Sequence, residues 1–590
     1  MILNSRQLFR QVRRNVNQYK FTYIFTASML QLFLMFGGVW LLSELFDLVL
    51  LAARQANVDQ HNFLVVMTNP WSMVAIIAYF VGLAFLMVLE FSVLTLMIYA
   101  KQVDTHFSWR TILKHAFIRL KKMRLIDFVS FVLYLILTIP LAGAGLASTL
   151  TERLYIPDFI VGEFIKTPVG LVGVILSTLV LIYLNIRLFF TFPLVSITED
   201  SFSQSVKRSW QMSKSRIFRW IGAILIYEAW LFILNIAIIL VVVIAVYFVD
   251  PMDNNFIVQA VALTVMKSVI FFFAALTKIG VITTAVIVIM EERQDSHALK
   301  HHQRETKFKS KWVPLFVTGF VIGTFAWNAW RLYIWEVNPK QEIIAHRGYT
   351  GAGVENSIEA LKAAVAQGAD SVEVDIQLTK DNQFVVMHDY NLKRLAKVNR
   401  EVKDMTADEI IGLPIQQAGF TSTVPSFEAF VQVAKDLNVK LFVELKPHGA
   451  EPNNYAELFI NKMRELNVAE QYRVMSLDLK LMEAINQQAP EMTVGYVIPI
   501  QFGSFANNNV DFFVIEDFSY RNFLVEQARQ QQEDVYVWTI NDDGKIIKYL
   551  HRPISGIITD VPNMVKALRH DMSTETSYSD KLMRLLDMGS

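Results

Sequence analysis

The chain has 590 residues, 53% of them hydrophobic, a formal net charge of +1 and no cysteine. That length exceeds what one hydrophobic core serves, so at least two domains are expected. The lack of cysteine excludes a zinc–thiolate site, and no nucleic-acid partner is expected.

The apolar residues are concentrated before about residue 336. A bilayer core needs roughly 20 apolar residues per helical span. Seven runs qualify: 22–45, 71–99, 127–149, 168–197, 220–249, 257–290 and 313–335. Several exceed the minimum, which predicts tilt or interfacial ends. So many runs leave too little polar surface for a soluble protein. Arg6, Arg10, Arg13 and Arg14 precede the first run. That run is too long for a cleavable signal and lacks a small-residue cleavage site, so it reads as a retained anchor.

Lys and Arg in the connecting loops set the expected orientation. They crowd the amino terminus and the second, fourth and sixth loops, with Lys101, Arg110, Lys114, Arg119, Lys121, Lys122 and Arg124 in the second. The other loops hold only Arg54, Arg153 and Lys166. This predicts a cytoplasmic amino terminus and, after seven crossings, an outside location for everything beyond about residue 336. One further crossing within 46–70 would reverse that. In the second loop, Trp109, Ile112, Leu113, Ala116, Phe117 and Leu120 recur at helical spacing among basic residues, which predicts an amphipathic helix on the inner leaflet. Glu90, Arg187, Glu228, Lys267 and Lys278 fall inside the spans. Charges at that depth are paired with each other or face a polar cavity.

Beyond residue 336 short apolar strands alternate with amphipathic helical stretches through about 250 residues, the pattern of a (β/α)8 TIM barrel. A multi-span α-helical membrane domain over 1–336 is thus followed by an α/β barrel over 337–571 and a Ser/Thr-rich, flexible tail over 572–590, in which Leu582, Leu585, Leu586 and Met588 are spaced for a short helix docked on the barrel or the membrane. Nine strand candidates compete for eight places. The tight turn at Lys380-Asp381-Asn382 marks one of its flanking strands as a hairpin addition.

Chemistry in such barrels collects at the carboxyl ends of the strands. His346 follows the first strand, and Glu373 and Asp375, two apart, share one strand face. His388 ends the Phe384–Val386 run, Glu444 and Lys446 end another, and Trp538 ends a later one. Three converging carboxylates suit a hard cation, Ca²⁺ or Mg²⁺. Arg347 and Lys446 favour an anionic substrate, and two histidines supply a general acid and a general base. Together these predict metal-assisted cleavage of a phosphate ester. Trp538 is either a wall of the substrate pocket or barrel-top packing. Asp560 is expected to order the loop after the last strand, and His448 and His551 to be structural.

The ordered set His346-Arg347-Gly348, Glu355-Asn356-Ser357, Glu373-Val374-Asp375, Thr379-Lys380-Asp381, His388-Asp389, Glu444-Leu445-Lys446, Trp538-Thr539-Ile540-Asn541 and Thr559-Asp560-Val561-Pro562 resembles the glycerophosphodiester phosphodiesterase family. The resemblance covers nearly all of 342–568. The multi-span first half is similar to the membrane domain of a bacterial subgroup of that family. The resemblance implies His346 and His388 as the acid/base pair and Glu373, Asp375 and Glu444 as cation ligands. It puts Arg347 and Lys446 on the phosphate, with Glu355, Asn356 and Trp538 also at the substrate. Val354 stands where the family has Pro, Ser357 where it has Thr, and Asp381-Asn382 replaces the usual Asp-Gly turn.

The implied activity is hydrolysis of a glycerophosphodiester to glycerol 3-phosphate and an alcohol at a bacterial cell membrane. Candidate substrates are polyglycerolphosphate (teichoic-acid) polymers, lysophospholipids and deacylated lipids, with membrane lipids as partners. Two other readings are a lipid- or glycerophosphate-binding sensor or transporter with a non-hydrolytic barrel, and a lyase that ends at a cyclic phosphate.

Overall fold

The computed structural model describes the chain except residues 1–3, 104–109, 111–112, 115–116, 119–120, 122, 139–149, 151–155, 215–216, 294–311, 336–337, 339, 575–576 and 588–590. It divides into two compact units: Met1–Val49 with Pro70–Tyr333, and Leu50–Asn69 with Ile334–Ser590.

The first unit is helical. Among the described residues five helices are long and apolar enough to cross a membrane: Ser5–Ala53, Pro70–Gln102, Pro168–Ile197, Ile217–Val249 and Phe256–Glu292. The third expected run is helical over Leu125–Thr138, and its remainder lies outside the described residues. The seventh forms the helix Trp312–Tyr333. The amphipathic helix expected around 109–122 falls largely outside the described residues. Leu225, Phe232, Ile233 and Val241 are exposed along Ile217–Val249, a surface suited to lipid rather than water. Inside the unit, Lys278 pairs with Glu90, Glu228 accepts a 2.9 Å hydrogen bond from Thr277, and the Arg187 guanidinium donates to the Trp210 carbonyl. These ionisable side chains are engaged between helices, as costly buried charges must be.

Among its described residues the second unit contains thirteen strands: β1 (Asn57–Val58), β2 (Glu342–Ala345), β3 (Ser371–Leu378), β4 (Phe384–Val386), β5 (Pro414–Gln417), β6 (Phe420–Thr423), β7 (Lys440–Leu445), β8 (Arg473–Ser476), β9 (Thr493–Ile498), β10 (Phe502–Gly503), β11 (Phe512–Glu516), β12 (Asp534–Trp538) and β13 (Gly556–Thr559). The main sheet runs β2-β13-β12-β11-β9-β8-β7-β3, and β2 pairs with β3 to close it. All of these pairings are parallel. The ninth strand, β4, joins β3 antiparallel as the hairpin addition. Asn382 supplies the left-handed residue of that turn at φ 59°.

Two apolar layers hold the barrel. Ile344, Phe442, Met475, Val497, Phe512, Val514, Tyr536 and Ile558 fill its interior. The opposite strand faces, such as Val372, Val374, Ile376, Leu441 and Val443, pack outward beneath the helices. Every residue of β3 is buried, so its inward-facing polar set cannot be a solvated face.

One feature departs from expectation. Residues 50–69, read as a loop of the membrane half, fold with the barrel: β1 pairs antiparallel with β10. At the end of the chain, Tyr578–Asp587 is a short helix, as the spacing of its leucines leads one to expect, and it buries Leu582 and Leu585. Its leucines recur at helical spacing, which gives the helix one apolar face to bury.

Candidate active site

The turn after β2 is built on left-handed backbone. Arg347 sits at φ 55° and Gly348 at φ 80°. A Cβ on Gly348 would lie 2.7 Å from the Ala360 carbonyl carbon, so only glycine fits there. Left-handed backbone at Arg347 costs about 1 kcal/mol. It aims the Arg347 amide at Glu373, donating to Oε2 at 2.8 Å. The His346 amide donates to the Thr559 carbonyl at 2.9 Å, which ties the turn to the last strand.

Glu373 and Asp375 point inward from β3, and Glu444 stands opposite Asp375 in the β3–β7 register. Their carboxylate oxygens lie within 4.8 Å of one another. Burial raises the Glu373 pKa well above the usual carboxylate range, and the Asp375 and Glu444 charges add to this. Burial pushes Asp375 up as well, but His388, Lys446 and Arg347 outweigh it and hold this carboxyl well below the usual range. Glu373 Oε1 is buried without a hydrogen-bond partner. An all-oxygen cluster, with one orphaned acceptor and mutual repulsion, fits a hard divalent cation. Lys446 Nζ lies 3.5 Å from Asp375 and 3.4 Å from Glu444, and Arg347 Nε 3.4 Å from Asp375. Both expected phosphate-contacting cations therefore border the cluster.

The two histidines are held alike. His346 Nδ1 is 2.8 Å from Asp560 Oδ1, and His388 Nδ1 is 2.9 Å from Asp389 Oδ1. A carboxylate only accepts, so each ring carries its proton on Nδ1 and turns the Nε2 lone pair outward. Burial lifts the Asp560 carboxyl, but the charge and hydrogen bond of His346 and the amide of Asn541 hold it down at about 2. For Asp389, His388 and Arg394 overcome burial in the same way. Burial lowers the His388 pKa, opposed chiefly by Asp375.

Several site residues were not singled out by their sequence context. Asp560 orients a histidine, beyond any ordering of its loop. Arg394 clamps Asp389 (2.6 and 3.0 Å) and Glu355 (2.5 and 3.0 Å) together. Glu355, His388 and Asp389 also converge closely enough to suggest a second cation site, but the guanidinium already supplies the positive charge there. The Gln377 amide donates to the Met387, His388 and Asp389 carbonyls at 2.8, 3.1 and 2.9 Å, cradling the His388 loop. Position 377 continues the inward face of 373 and 375, which is the one periodic signal that points to it.

Two expected substrate contacts serve as internal supports. Buried Asn356 donates to Asp375 at 2.8 Å and accepts from the Asp375 amide at 3.1 Å. Buried Glu355 is shared by Arg347, Arg394 and Gln417. Both sit behind the ligand and histidine positions because their neighbours' polar groups need partners at that depth. Ser357 caps the helix Ile358–Ala366, accepting from the Ala360 amide at 3.1 Å. Trp538 packs against the interior cluster and donates to the Val514 carbonyl at 3.3 Å.

A TIM barrel with this site, joined to a membrane-type helical unit, defines a membrane-associated phosphoric diester hydrolase. The chain belongs to the glycerophosphoryl diester phosphodiesterase family. Residues 5–325 match the family model described as "Membrane domain of glycerophosphoryl diester phosphodiesterase", and residues 346–564 match "Glycerophosphoryl diester phosphodiesterase family". Among its relatives, the putative glycerophosphodiester phosphodiesterase YhdW of Bacillus subtilis is 26% identical over 234 residues, 38% of this chain and 96% of that protein. A glycerophosphodiester phosphodiesterase of Caldanaerobacter subterraneus is 25% identical over 237 residues, 38% of this chain and 95% of its own. Lysophospholipase D GDPD1 of Rattus norvegicus is 25% identical over 271 residues, 39% of this chain and 86% of its own.

Proposed function

We propose that this glycerophosphodiester phosphodiesterase splits its substrate into glycerol 3-phosphate and an alcohol, with His346 and His388 moving the protons. The observation that carries this is the pair of Nδ1-anchored imidazoles on either side of an acidic cluster. Glu373, Asp375 and Glu444 would hold Ca²⁺ or Mg²⁺, which supplies charge neutralisation at the phosphoryl oxygens. Lys446 and Arg347 border the same place and orient the phosphate. One histidine Nε2 takes the proton of the substrate's glycerol 2-hydroxyl as its oxygen bonds to phosphorus. The other, having taken up a second proton on Nε2, delivers that proton to the departing alcohol oxygen as the second ester bond breaks. The resulting cyclic phosphate is opened by water with the roles reversed, each proton transfer contributing ~10²–10⁴ in rate.

Loop charge favours a cytoplasmic amino terminus and an outward-facing barrel. Parity supports this. The strap 50–69 pairs with the barrel, so both lie on one side of the bilayer. An even number of crossings must then separate them, as the expected spans from 71–99 to 313–335 provide.

The test is release of glycerol 3-phosphate by the full chain in native membranes, with Ca²⁺ or Mg²⁺, from glycerophosphocholine, monoacyl glycerophosphocholine and polyglycerolphosphate. His346→Ala and His388→Ala are expected to abolish it. Wild type as inactive as His346→Ala on all three would overturn the assignment. Orientation is read separately. The chain has no cysteine, so Lys440→Cys should react with an impermeant thiol reagent in intact cells, and labelling only after lysis would reverse the topology.

A further inference from the structure

The strap formed by residues 50–69 buries a cluster of polar side chains and exposes a run of apolar ones. Three of its polar side chains are turned inward, while Arg54, Gln60 and His61 are exposed. Asn57, Asp59 and Asn62 are buried, and the Asn62 amide donates to the Asn57 side chain and backbone at 2.9 and 3.0 Å. Asp59 accepts from the amides of His61 and Asn62 at 2.9 and 3.1 Å, and from the Tyr496 hydroxyl at 3.2 Å. The Gln60 amide donates to the Val497 carbonyl at 2.9 Å. Gly503 at φ 90° permits the close approach, since a Cβ there would lie 2.8 Å from the Ala56 carbonyl oxygen. Val58 and Val66 are buried, but three consecutive apolar side chains face out: on the short helix Phe63–Thr68, Phe63 is 48% exposed, Leu64 72% and Val65 50%.

Two facts decide what covers these side chains. The strap enters from the apolar helix Ser5–Ala53 and leaves into Pro70–Gln102, both long enough to cross a membrane. Its ends are therefore held at a bilayer surface, within a few residues of the exposed helix. In addition, Val497 lies at the carboxyl end of β9, the end of the barrel that carries His346, Glu373 and Glu444. The strap is thus stitched to the rim of the catalytic mouth.

We infer that Phe63, Leu64 and Val65 form a lipid-inserting lip on that rim. The substrate is accordingly a membrane-resident glycerophosphodiester whose alcohol or glycerol carries an acyl chain. This rests on the phosphodiesterase reading and adds the substrate class to it. Inward polar anchors give the lip a fixed position, and outward apolar side chains gain free energy only where water is replaced by acyl chains.

The experiment uses the full chain reconstituted in phosphatidylglycerol–phosphatidylethanolamine vesicles. In Leu64→Cys labelled with an environment-sensitive fluorophore, emission should shift to the blue and be quenched by brominated lipid. The same label on Lys440→Cys, at the amino end of β7, should not be quenched. A label at 64 that reports water, unquenched, overturns the lip. Kinetics test the substrate class. For Phe63→Ser/Leu64→Ser, kcat/KM on 1-oleoyl-glycerophosphocholine in those vesicles should fall about tenfold more than on water-soluble glycerophosphocholine, mainly through KM. Equal losses on both, or a wild type that turns over only the water-soluble diester, overturn the substrate class. A wild type inactive on both diesters, with lipid quenching at 64 retained, would instead count against the phosphodiesterase reading.

Discussion

Asp560 holds the Nδ1 proton of His346 across 2.8 Å, although 214 residues separate the two in the chain. Closure of the barrel brings them together, because β13 pairs with β2 in the register Thr559↔Ala345. The carboxylate fixes the tautomer and so decides which nitrogen can meet substrate.

Asp560→Asn should therefore lower kcat by about 10- to 100-fold with little change in KM, since an amide can present its NH₂ to Nδ1 and reverse the tautomer. Steady-state kinetics and a pH–rate profile check this. A change confined to KM would assign Asp560 to substrate binding instead.

The acidic cluster predicts a cation-dependent melting temperature. Chelation leaves three mutually repelling carboxylates, so adding Ca²⁺ or Mg²⁺ to the chelated protein should raise the midpoint, by about 2.7 kcal/mol of stability at a hundredfold excess over Kd. Glu373→Gln should weaken that response while stabilising the cation-free form, because a charge that burial disfavours is removed. Calorimetry with and without the ion reads both effects independently of turnover.

Arg394→Ala should be among the more damaging substitutions outside the ligand set. It leaves Glu355 and Asp389, both paired to its guanidinium, without their shared cation. Breaking a buried pair of this kind costs about 3–5 kcal/mol. Arg394→Lys should recover only part of that, since an ammonium cannot bridge two carboxylates with a planar fork. Denaturant unfolding of the two variants, with kcat measured alongside, distinguishes them. Full rescue by lysine would contradict the clamp.

Acid stability has a specific contributor in Asp517. Burial raises this carboxyl, but Lys548, Tyr549 and Lys545 more than offset it and hold the group at about 2 against an ordinary 3.8. The folded state thus binds fewer protons than the unfolded one in that interval. The contribution, on the order of 2 kcal/mol, is complete above about pH 4 and lost as pH falls through about 2. Asp517→Asn should lower the midpoint at neutral pH and flatten its decline between about pH 4 and 2, as followed by circular dichroism.

Much of the catalytic half was legible before folding. Glu373 and Asp375 share a face because a strand repeats every two residues. His346, His388 and Glu444 were placed by the ends of short apolar runs, where barrel chemistry gathers. For Asn356 and Glu355, expected at the substrate, the motif shows that they stand near a site but not which internal partners they hold. In the fold they hydrogen-bond Asp375, Arg347 and Arg394. Arg394 and Gln377 escaped because each acts through partners that only packing supplies.

What the amino-acid sequence determined by itself was local and periodic: the apolar runs, the alternation of strand and helix, the two-residue spacing of the acids, and the left-handed turn at Asn382. Tertiary structure alone decided which distant groups meet. Asp560 reaches His346 because the barrel closes, and Asn57 reaches Gly503 because the strap, inserted between two apolar helices, pairs with a strand more than four hundred residues further on. Hydrophobic period specifies a face, but the partner across that face is set by closure and depth, where every buried polar group must find a mate.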